Sequence, residues 1–222
     1  MLNQATSIAS KWLKTQVLMQ DERVIPHIPE TRKYSQENLR SMLSSYGLVV
    51  LKPNVGTGGS GIILIERQNE NYLLKHSHRQ RRIAAFSSLV EAVRKLMRRR
   101  EYLVQQGIRL AQIDGRPLDY RVKIAKHGDK WVTRSVVGRL AKEGLFVTNL
   151  CSGGTLLTSK EAIRRSLPSL NVSAKKQEMK KLAYLCKDIF LRQYPLMEQL
   201  GFDFGLDNQG KVWIFEMNTR PH

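Results

Sequence analysis

The chain has 222 residues and a formal net charge of +18, because 37 lysines and arginines outnumber 19 aspartates and glutamates. Hydrophobic residues make up 41% of the sequence, which is enough for a packed core and excludes a mostly disordered chain. Two cysteines are too few for a disulfide scaffold. No apolar run approaches the ~18 residues of a membrane span, and the first 20 residues lack the apolar segment of a secretory signal. A reducing, cytoplasmic location is therefore expected.

Helices are predicted to alternate with short strands and antiparallel hairpins along the chain. The helices are predicted at residues 6–20, 35–44, 86–97, 158–167 and 175–200, the second with Ser35 as its N-cap and the last ended or kinked at Pro195. Strands are predicted at residues 48–51, 62–65, 71–74, 101–106, 118–126, 131–140, 202–206 and 212–217. This mixture predicts an α+β fold.

The positive charge predicts attraction to polyanions such as nucleotides, nucleic acids or acidic substrates. Basic residues cluster near 79–82, 94–100 and 175–181, which solvated helix faces would also explain. Aromatic residues do not interleave with these clusters, and the sequence has no helix-turn-helix, zinc or RNA-recognition signature. Nucleic-acid binding is therefore a less favoured hypothesis, which the charge alone does not exclude.

Three oxygen-bearing side chains converge near the end of the chain. Glu216 and Asn218 lie two apart on a predicted strand and so face the same way. With a two-residue turn at Asn208-Gln209, Asp203 lies opposite Ile214, on the same face as Glu216 and one diagonal step away. Carboxylate and amide oxygens are hard ligands that suit Mg²⁺, although paired acids on a strand are often only solvated. The apolar neighbours favour the metal site, because buried oxygens without a cation would be costly.

A glycine-rich loop at residues 54–61 follows a short buried strand that carries Lys52 near its end. Backbone N–H groups in such a loop can approach phosphates closely, and a neighbouring lysine adds a point charge. The order of residues differs from the P-loop and from the dinucleotide-binding fingerprint. A mobile hairpin turn is the alternative interpretation.

Taken together, these pieces resemble the ATP-grasp superfamily from about Pro29 to Pro221. The resemblance is carried by four blocks in order: residues 51–61; residues 101–108; residues 119–122 with 138–144 and 148–154; and Asp203 with residues 216–218. Within the superfamily the chain is most similar to the YheC/YheD-like branch, which is named for spore-coat-associated proteins of spore-forming bacteria. The gap of 13 residues from Asp203 to Glu216, followed by Asn218, is a specific part of the pattern.

The resemblance implies an ATP-grasp fold, in which two α+β lobes grip a nucleotide between antiparallel sheets. Residues 1–30 would be an N-terminal helical extension and residues 31–222 the ATP-grasp domain, with a small glycine-loop lobe at about 48–106 and a C-terminal metal-binding lobe at about 107–222. Superfamily members usually carry a preceding α/β domain that helps to bind the acceptor. That domain is expected to be missing or vestigial here, and a partner chain could supply it.

The resemblance also implies roles for individual residues. ATP would be bound by Lys52 at the α/β-phosphates, by Gly58, Gly59, Ser60 and Gly61 as a lid, and by Gln105, Gln106 and Ile108 as the adenine hinge. Mg²⁺ would be held by Asp203, Glu216 and Asn218, and the transferring phosphoryl group stabilised by Arg121 and Arg139. The acceptor would be contacted by Asn149, Gly153, Gly154 and Arg220. No covalent nucleophile is needed, so Cys151 and Cys186 are interpreted as structural.

The implied function is a Mg-ATP-dependent carboxylate–amine ligase core, or a similar ligase, working through an acyl phosphate on a small carboxylate or peptide-like acceptor. A link to spore or cell-envelope biology is a further expectation from the branch. The second hypothesis is a catalytically degenerate ATP-grasp protein that serves in binding or assembly in the spore coat. The basic nucleic-acid-binding protein considered above is the third.

Overall fold

The computed structural model describes residues 7–221, which divide into two compact units. The smaller unit is Pro29–Ile108, and the larger joins residues 7–28 to residues 109–221. In the described part of the chain the elements are α1 (Lys11–Leu18), β1 (Thr31–Lys33), α2 (Gln36–Tyr46), β2 (Leu48–Pro53), β3 (Ile63–Gln68), β4 (Asn71–His76), β5 (Arg79–Ile83), α3 (Phe86–Met97), β6 (Tyr102–Gln106), β7 (Gln112–Ile113), β8 (Arg116–His127), β9 (Lys130–Leu140), β10 (Thr155–Thr158), α4 (Ser159–Ser166), α5 (Val172–Leu191), β11 (Gln199–Leu206) and β12 (Val212–Asn218).

The smaller unit is an antiparallel sheet in the order β1-β6-β2-β3-β4-β5, packed against α2 and α3. Leu39 and Leu43 of α2 and Leu89 and Val93 of α3 are buried, because spacings of four residues place each pair on one side of its helix. The α2 helix starts at the predicted cap Ser35, whose hydroxyl accepts a hydrogen bond from the Asn38 backbone. The helices cover one sheet face, so strand alternation places Lys52 on the other.

The larger unit is an antiparallel sheet in the order β10-β9-β8-β11-β12, with β7 paired to β8. Its core is built from one sheet face and from α1, α4 and α5. On α5, the buried residues Met179, Ala183, Cys186 and Phe190 follow helical spacing and form a continuous apolar stripe. The described part of the N-terminal segment belongs to this unit, since Val17 joins the same core.

The α+β architecture predicted from the sequence is confirmed, and several element boundaries differ. The α5 helix ends at Leu191 rather than near residue 200, because Pro195 disfavours helical backbone before it and β11 already begins at Gln199. Within the described residues, α1 is shorter than predicted and begins after the N-cap Ser10. Strands β1, β5, β7 and β10 were not predicted, because they are short or polar and show no apolar alternation.

Among residues 7–221, no helix combines the length and the apolar character that a membrane crossing requires.

Candidate functional site

The sheet of the larger unit has one face in the core and an opposite face that carries charged residues. Tyr120 and Val122 of β8 are fully buried in the core, so the alternating residues Asp119 and Arg121 lie on the other face. Arg139 of β9 is the direct cross-strand partner of Asp119, and Asp203 of β11 is that of Arg121. The sheet therefore gathers acids and arginines from three neighbouring strands.

The pairing of β11 with β12 differs from the predicted register. Asp203 lies directly opposite Glu216, not opposite Ile214, whose partner is Phe204. Two features cause the shift: the connecting turn closes at Gly210, with φ of 79°, and a β-bulge follows between Asp203 and Phe204. Direct pairing places the two carboxylates closer together than the predicted diagonal step would. Asn218 lies on the same strand two residues beyond Glu216.

Asp203 is held by two arginines. Arg121 donates through Nε to Oδ1 and through Nη2 to Oδ2, the latter at 3.1 Å. The Nη2 atom of Arg139 lies 3.0 Å from Oδ1 of the same carboxylate. Burial alone would raise the pKa of Asp203, but Arg139 and Arg121 outweigh it and hold that pKa below its ordinary value. Asp203 is therefore an ionised carboxylate at neutral pH.

Arg139 is fixed by a second acid. Its Nε and Nη2 atoms donate to the two oxygens of Asp119 at 2.7 and 2.5 Å, and both side chains are buried. The Thr148 hydroxyl donates to Asp119 Oδ2 at 2.7 Å. Burial raises the pKa of Asp119 although Arg139 and Thr148 act in the opposite direction. Arg139 thus bridges Asp119 and Asp203 in one ion network.

Glu216 is in contact with two lysines of α1. Lys11 Nζ donates to Glu216 Oε1 at 2.8 Å, and Lys14 Nζ lies 3.8 Å from the same oxygen. The Lys14 side chain is only 6% exposed, and burial lowers its pKa to about 8. The N-terminal segment is tied to the end of β12 by the Ile8 backbone N–H, which donates to Thr219 Oγ1 at 3.0 Å.

The predicted metal ligands Asp203, Glu216 and Asn218 are therefore neighbours on one pair of strands. Their oxygens suit a hard divalent cation, and two of the three are carboxylates. The two carboxylates also contact lysine and arginine side chains. A cation bound there would compete with these side chains for the carboxylate oxygens. Among residues 7–221 there is no group of three or more His, Cys, Asp or Glu residues with metal-site geometry.

The predicted acceptor loop is anchored to the ion network through its first residues. Thr148, at the start of this loop, donates its hydroxyl hydrogen bond to Asp119. The carbonyl of the next residue, Asn149, accepts hydrogen bonds from the backbone N–H groups of Ser152 and Gly154 at 3.0 and 3.4 Å. Gly154 has no room for a side chain, since an added Cβ would lie 2.8 Å from the Thr148 carbonyl oxygen. Gly153 adopts a positive φ of 85°. Arg220 is exposed and follows β12.

In the smaller unit, Lys52 is oriented by a chain of hydrogen bonds. Lys52 Nζ donates to Gln105 Oε1 at 2.6 Å, and Gln105 Nε2 donates to Thr31 Oγ1 at 2.9 Å. Thr31 Oγ1 donates onward to the Pro29 carbonyl at 2.8 Å. The structure thus brings together two of the predicted nucleotide-binding residues, Lys52 and Gln105.

The glycine-rich loop adopts backbone conformations that favour glycine. Gly58, Gly59 and Gly61 have φ values of 66°, 72° and 78°, and Ser60 is exposed between them. The Gly61 carbonyl accepts a hydrogen bond from the Tyr102 hydroxyl at 2.9 Å, which attaches the end of the loop to β6.

The predicted hinge has part of its backbone already engaged within the smaller unit. The Gln106 N–H donates to the Glu30 carbonyl at 2.8 Å, and the Gly107 N–H donates to the Leu48 carbonyl at 2.8 Å. These two N–H groups are not open to adenine. Ile108 is the other predicted hinge residue, at the last position of the unit.

Sequence reasoning assigned no role to Asp119, Thr148, Lys11 or Lys14. Asp119 had a detectable signal, because it lies two residues before Arg121 on a predicted strand and so shares its face. Lys11 and Lys14 share one side of a predicted helix, but 205 residues separate Lys11 from Glu216. Local patterns carry no information on a contact of that separation.

The chain matches a family model and two curated proteins. The model of YheC/D-like ATP-grasp proteins matches residues 1–222. The endospore coat-associated proteins YheD and YheC of Bacillus subtilis (strain 168) are each 29% identical to this chain over 96% of its length. The chain spans 48% of YheD and 60% of YheC.

Solved structures with the same fold include ATP-grasp enzymes. Carboxyaminoimidazole ribonucleotide synthase from Aspergillus clavatus, solved with ATP, is 13% identical, with a TM-score of 0.61 over 97% of this chain and 46% of that one. D-alanyl-alanine synthetase A from Vibrio cholerae is 13% identical, with a TM-score of 0.57 over 96% of this chain and 55% of that one. These likenesses establish the fold, and the match over the whole sequence establishes the family: the chain is a member of the YheC/D-like ATP-grasp proteins.

Proposed function

We propose that this chain is the ATP-dependent core of a ligase that activates a carboxylate and joins it to an amine or a similar nucleophile. One observation carries the proposal: Asp203 and Glu216 face each other on a sheet face that also holds Arg121 and Arg139. Phosphoryl transfer needs few covalent contributions from a protein and depends on positioning and charge neutralisation. A sheet face that carries carboxylates beside fixed arginines can supply both the positioning and the charge neutralisation.

Asp203, Glu216 and Asn218 would hold magnesium. Their oxygens are the ligand type that magnesium prefers, and phosphate oxygens of a nucleotide could complete the set. When bound, the ion supplies neutralisation of phosphate charge. Arg139 keeps its position without help from the nucleotide, because Asp119 binds two of its three donor nitrogens, Nε and Nη2. Preorganisation of this kind favours the transition state, since no reorganisation is needed during the reaction.

Lys52 would bind phosphate oxygens in the smaller unit. Lys52 donates a hydrogen bond to Gln105, and Gln105 in turn donates one to Thr31. These two hydrogen bonds fix the direction of the Lys52 ammonium group before a nucleotide binds. The glycine loop at residues 54–61 would contribute backbone N–H groups, because its glycines have no side chain to obstruct the approach of a phosphate. Adenine would be recognised near Gln106 and Ile108, at groups other than the two engaged N–H groups.

The proposed reaction has two steps. An oxygen of the acceptor carboxylate attacks the γ-phosphorus of ATP, the bond to the β–γ bridging oxygen breaks, and ADP leaves. The amine then attacks the acyl carbon, phosphate leaves with the electron pair of the carbon–oxygen bond, and the amine loses a proton. Arg121 and Arg139 would stabilise the charge that develops on the transferring group.

A trapping assay tests this proposal. The chain is incubated with Mg-ATP, pools of small carboxylates or peptides, and hydroxylamine as a general amine. We expect ADP and a hydroxamate to form together with the wild type, and neither to form with Glu216→Gln. Glu161→Gln, which alters an exposed carboxylate on α4, is the matched control and should keep the activity. ADP formation that is unchanged in Glu216→Gln would contradict the metal assignment.

A second candidate function is a binding or assembly role in the spore coat without turnover. Two observations favour it: the curated relatives are named as endospore coat-associated, and two lysines contact Glu216. In this role the chain forms no ADP with any mixture of acceptors, whether or not it binds a nucleotide. Carboxylate-dependent release of ADP would rule it out.

A further inference from the structure

The α1 helix brings two ammonium groups to the acid that would bind the metal. Lys11 and Lys14 are three residues apart, so both point from one side of the helix. Lys11 Nζ lies 2.8 Å from Glu216 Oε1, at hydrogen-bond distance, and Lys14 Nζ lies 3.8 Å from the same atom. Both lysines and Glu216 are largely shielded, with side-chain exposures of 14%, 6% and 20%.

A divalent cation bound at Glu216 disfavours this arrangement of the lysines. The cation would compete with Lys11 for the same carboxylate and would repel both ammonium groups at short range, where shielding from water makes the repulsion stronger. The displaced ammonium groups would need further negative charge close by, because shielded charges are unfavourable unless they are compensated. The phosphate oxygens of a nucleotide or of a phosphorylated intermediate would meet that need, and lysine binds phosphate well as a point charge.

We propose that Lys11 and Lys14 are exchangeable counter-cations: they hold Glu216 in the absence of a divalent cation, and once displaced they bind a phosphate group. This inference rests on the proposed function and adds α1 to the phosphate-binding apparatus. It makes divalent cation and tetrahedral anion bind cooperatively, because each favours the arrangement in which Lys11 has left Glu216. Such coupling is reciprocal: the anion raises the affinity for the metal as much as the metal raises that for the anion.

The test measures Mn²⁺ binding to the full chain by calorimetry and by electron paramagnetic resonance, with no nucleotide present. The variants are Lys11→Met, Lys11→Gln and the double variant Lys11→Met/Lys14→Met. Lys181→Met is the matched control, since it removes the same charge from an exposed position on α5. Sulfate is the anion probe, compared with chloride at equal ionic strength. Circular dichroism and thermal melting establish that each variant is folded.

We expect Lys11→Met and Lys11→Gln to bind Mn²⁺ about tenfold more tightly than the wild type, equivalent to about 1.4 kcal/mol. Lys181→Met should bind as the wild type does. Sulfate should raise the Mn²⁺ affinity of the wild type and have no effect on the double variant. Mn²⁺ binding by Lys11→Met that is absent from the wild type would also support the exchange.

Unchanged or weaker Mn²⁺ binding by both folded Lys11 variants would overturn the exchange. If the wild-type binding is nevertheless lost in Asp203→Asn/Glu216→Gln, the metal site and the proposed function survive that failure. A sulfate effect that persists in the double variant would overturn the assignment of the anion to these lysines. Absence of Mn²⁺ binding from every variant, or binding that ignores Asp203→Asn/Glu216→Gln, would overturn both the exchange and the metal site.

Discussion

Asp119 and Arg139 face each other across β8 and β9 and form a buried ion pair with two hydrogen bonds. The pair fixes the arginine that reaches on to Asp203 at 3.0 Å. It also binds Thr148, the residue before the loop at 149–154. One buried pair thus links the candidate metal ligand to the candidate acceptor loop.

Loss of this pair should be costly for stability. We expect Asp119→Asn to lower the free energy of unfolding by about 3–5 kcal/mol, because it leaves the buried Arg139 without its main counter-charge. Glu161→Gln removes one partner of the exposed pair with Arg165 and should change stability by less than about 1 kcal/mol. Urea unfolding measures both. Equal, small effects of the two substitutions would show that the Asp119–Arg139 pair contributes nothing beyond a surface pair.

Lys52 should affect nucleotide affinity without affecting the fold. We expect Lys52→Met to weaken ATP binding about tenfold to hundredfold, in line with about 1.5–3 kcal/mol for a hydrogen bond to a charged group. Gln105→Met should weaken it less, because the ammonium remains but loses the acceptor that orients it. Calorimetry at fixed ionic strength gives the affinities. Lys95→Met is the control, because it removes an exposed charge from the same unit. If Lys95→Met weakens ATP binding as much as Lys52→Met does, Lys52 contributes only to the overall positive charge.

The Tyr102 hydroxyl should steady the glycine loop. It donates to the Gly61 carbonyl at 2.9 Å and accepts from Arg100 Nη2 at 3.0 Å. We expect Tyr102→Phe to make the loop more open to limited proteolysis and to weaken ATP binding several-fold, consistent with about 1 kcal/mol for a neutral hydrogen bond. Tyr46→Phe also loses a tyrosine hydrogen bond, to Glu30, but away from the loop. If both variants are cleaved in the loop at the wild-type rate, the hydroxyl does not hold it.

The two cysteines should differ in reactivity. Cys186 is buried in the core, and burial raises the pKa of its thiol to about 12, whereas Cys151 is exposed. Because the thiolate is the reactive form, a thiol reagent should modify Cys151 in the folded chain and Cys186 only after unfolding. Mass spectrometry of the modified chain measures this. Equal rates for both thiols under native conditions would contradict the burial of Cys186.

The burial of Cys186 also makes the free energy of unfolding depend on pH in the alkaline range. The Cys186 thiol has an ordinary pKa of 9.0, so above that pH the unfolded chain loses a proton that the folded chain keeps up to about 12. At this thiol the unfolded state then binds fewer protons, so the contribution of Cys186 to stability falls as the pH rises through this window. Cys186→Ala should reduce this slope. Part of it should remain, because burial also raises the pKa of Tyr120 to about 12.

Local signals in the sequence predicted the elements that local interactions determine. The α2 helix begins after the predicted cap Ser35, and α3 spans the predicted residues 86–97, because caps and apolar spacing act within a few turns. The edge strand β5 escaped prediction because Arg79, Arg81 and Arg82 give it no apolar alternation. Its place in the sheet depends on pairing with β4.

The candidate site was predictable in its residue types and less so in its geometry. The shared face of Glu216 and Asn218 follows from strand alternation alone. The direct pairing of Asp203 with Glu216 depends on a turn and a bulge that shift the register, which composition does not specify. The contacts of Lys11 and Lys14 with Glu216 depend on how α1 packs in the larger unit. The spacing of residues along the chain does not predict how this helix packs.

The central claim is that Asp203 and Glu216 form a divalent-cation site that serves ATP. Calorimetric titration of Mg-ATP at ~0.15 M salt, where exposed charges are largely screened, tests it most directly. The Asp203→Asn/Glu216→Gln variant is titrated in parallel, with a heparin-like polyanion as the control for a chain of net charge +18. We predict binding that requires Mg²⁺ and is lost in the variant, while polyanion binding is kept. Binding of ATP that is indifferent both to Mg²⁺ and to the two substitutions would contradict the account.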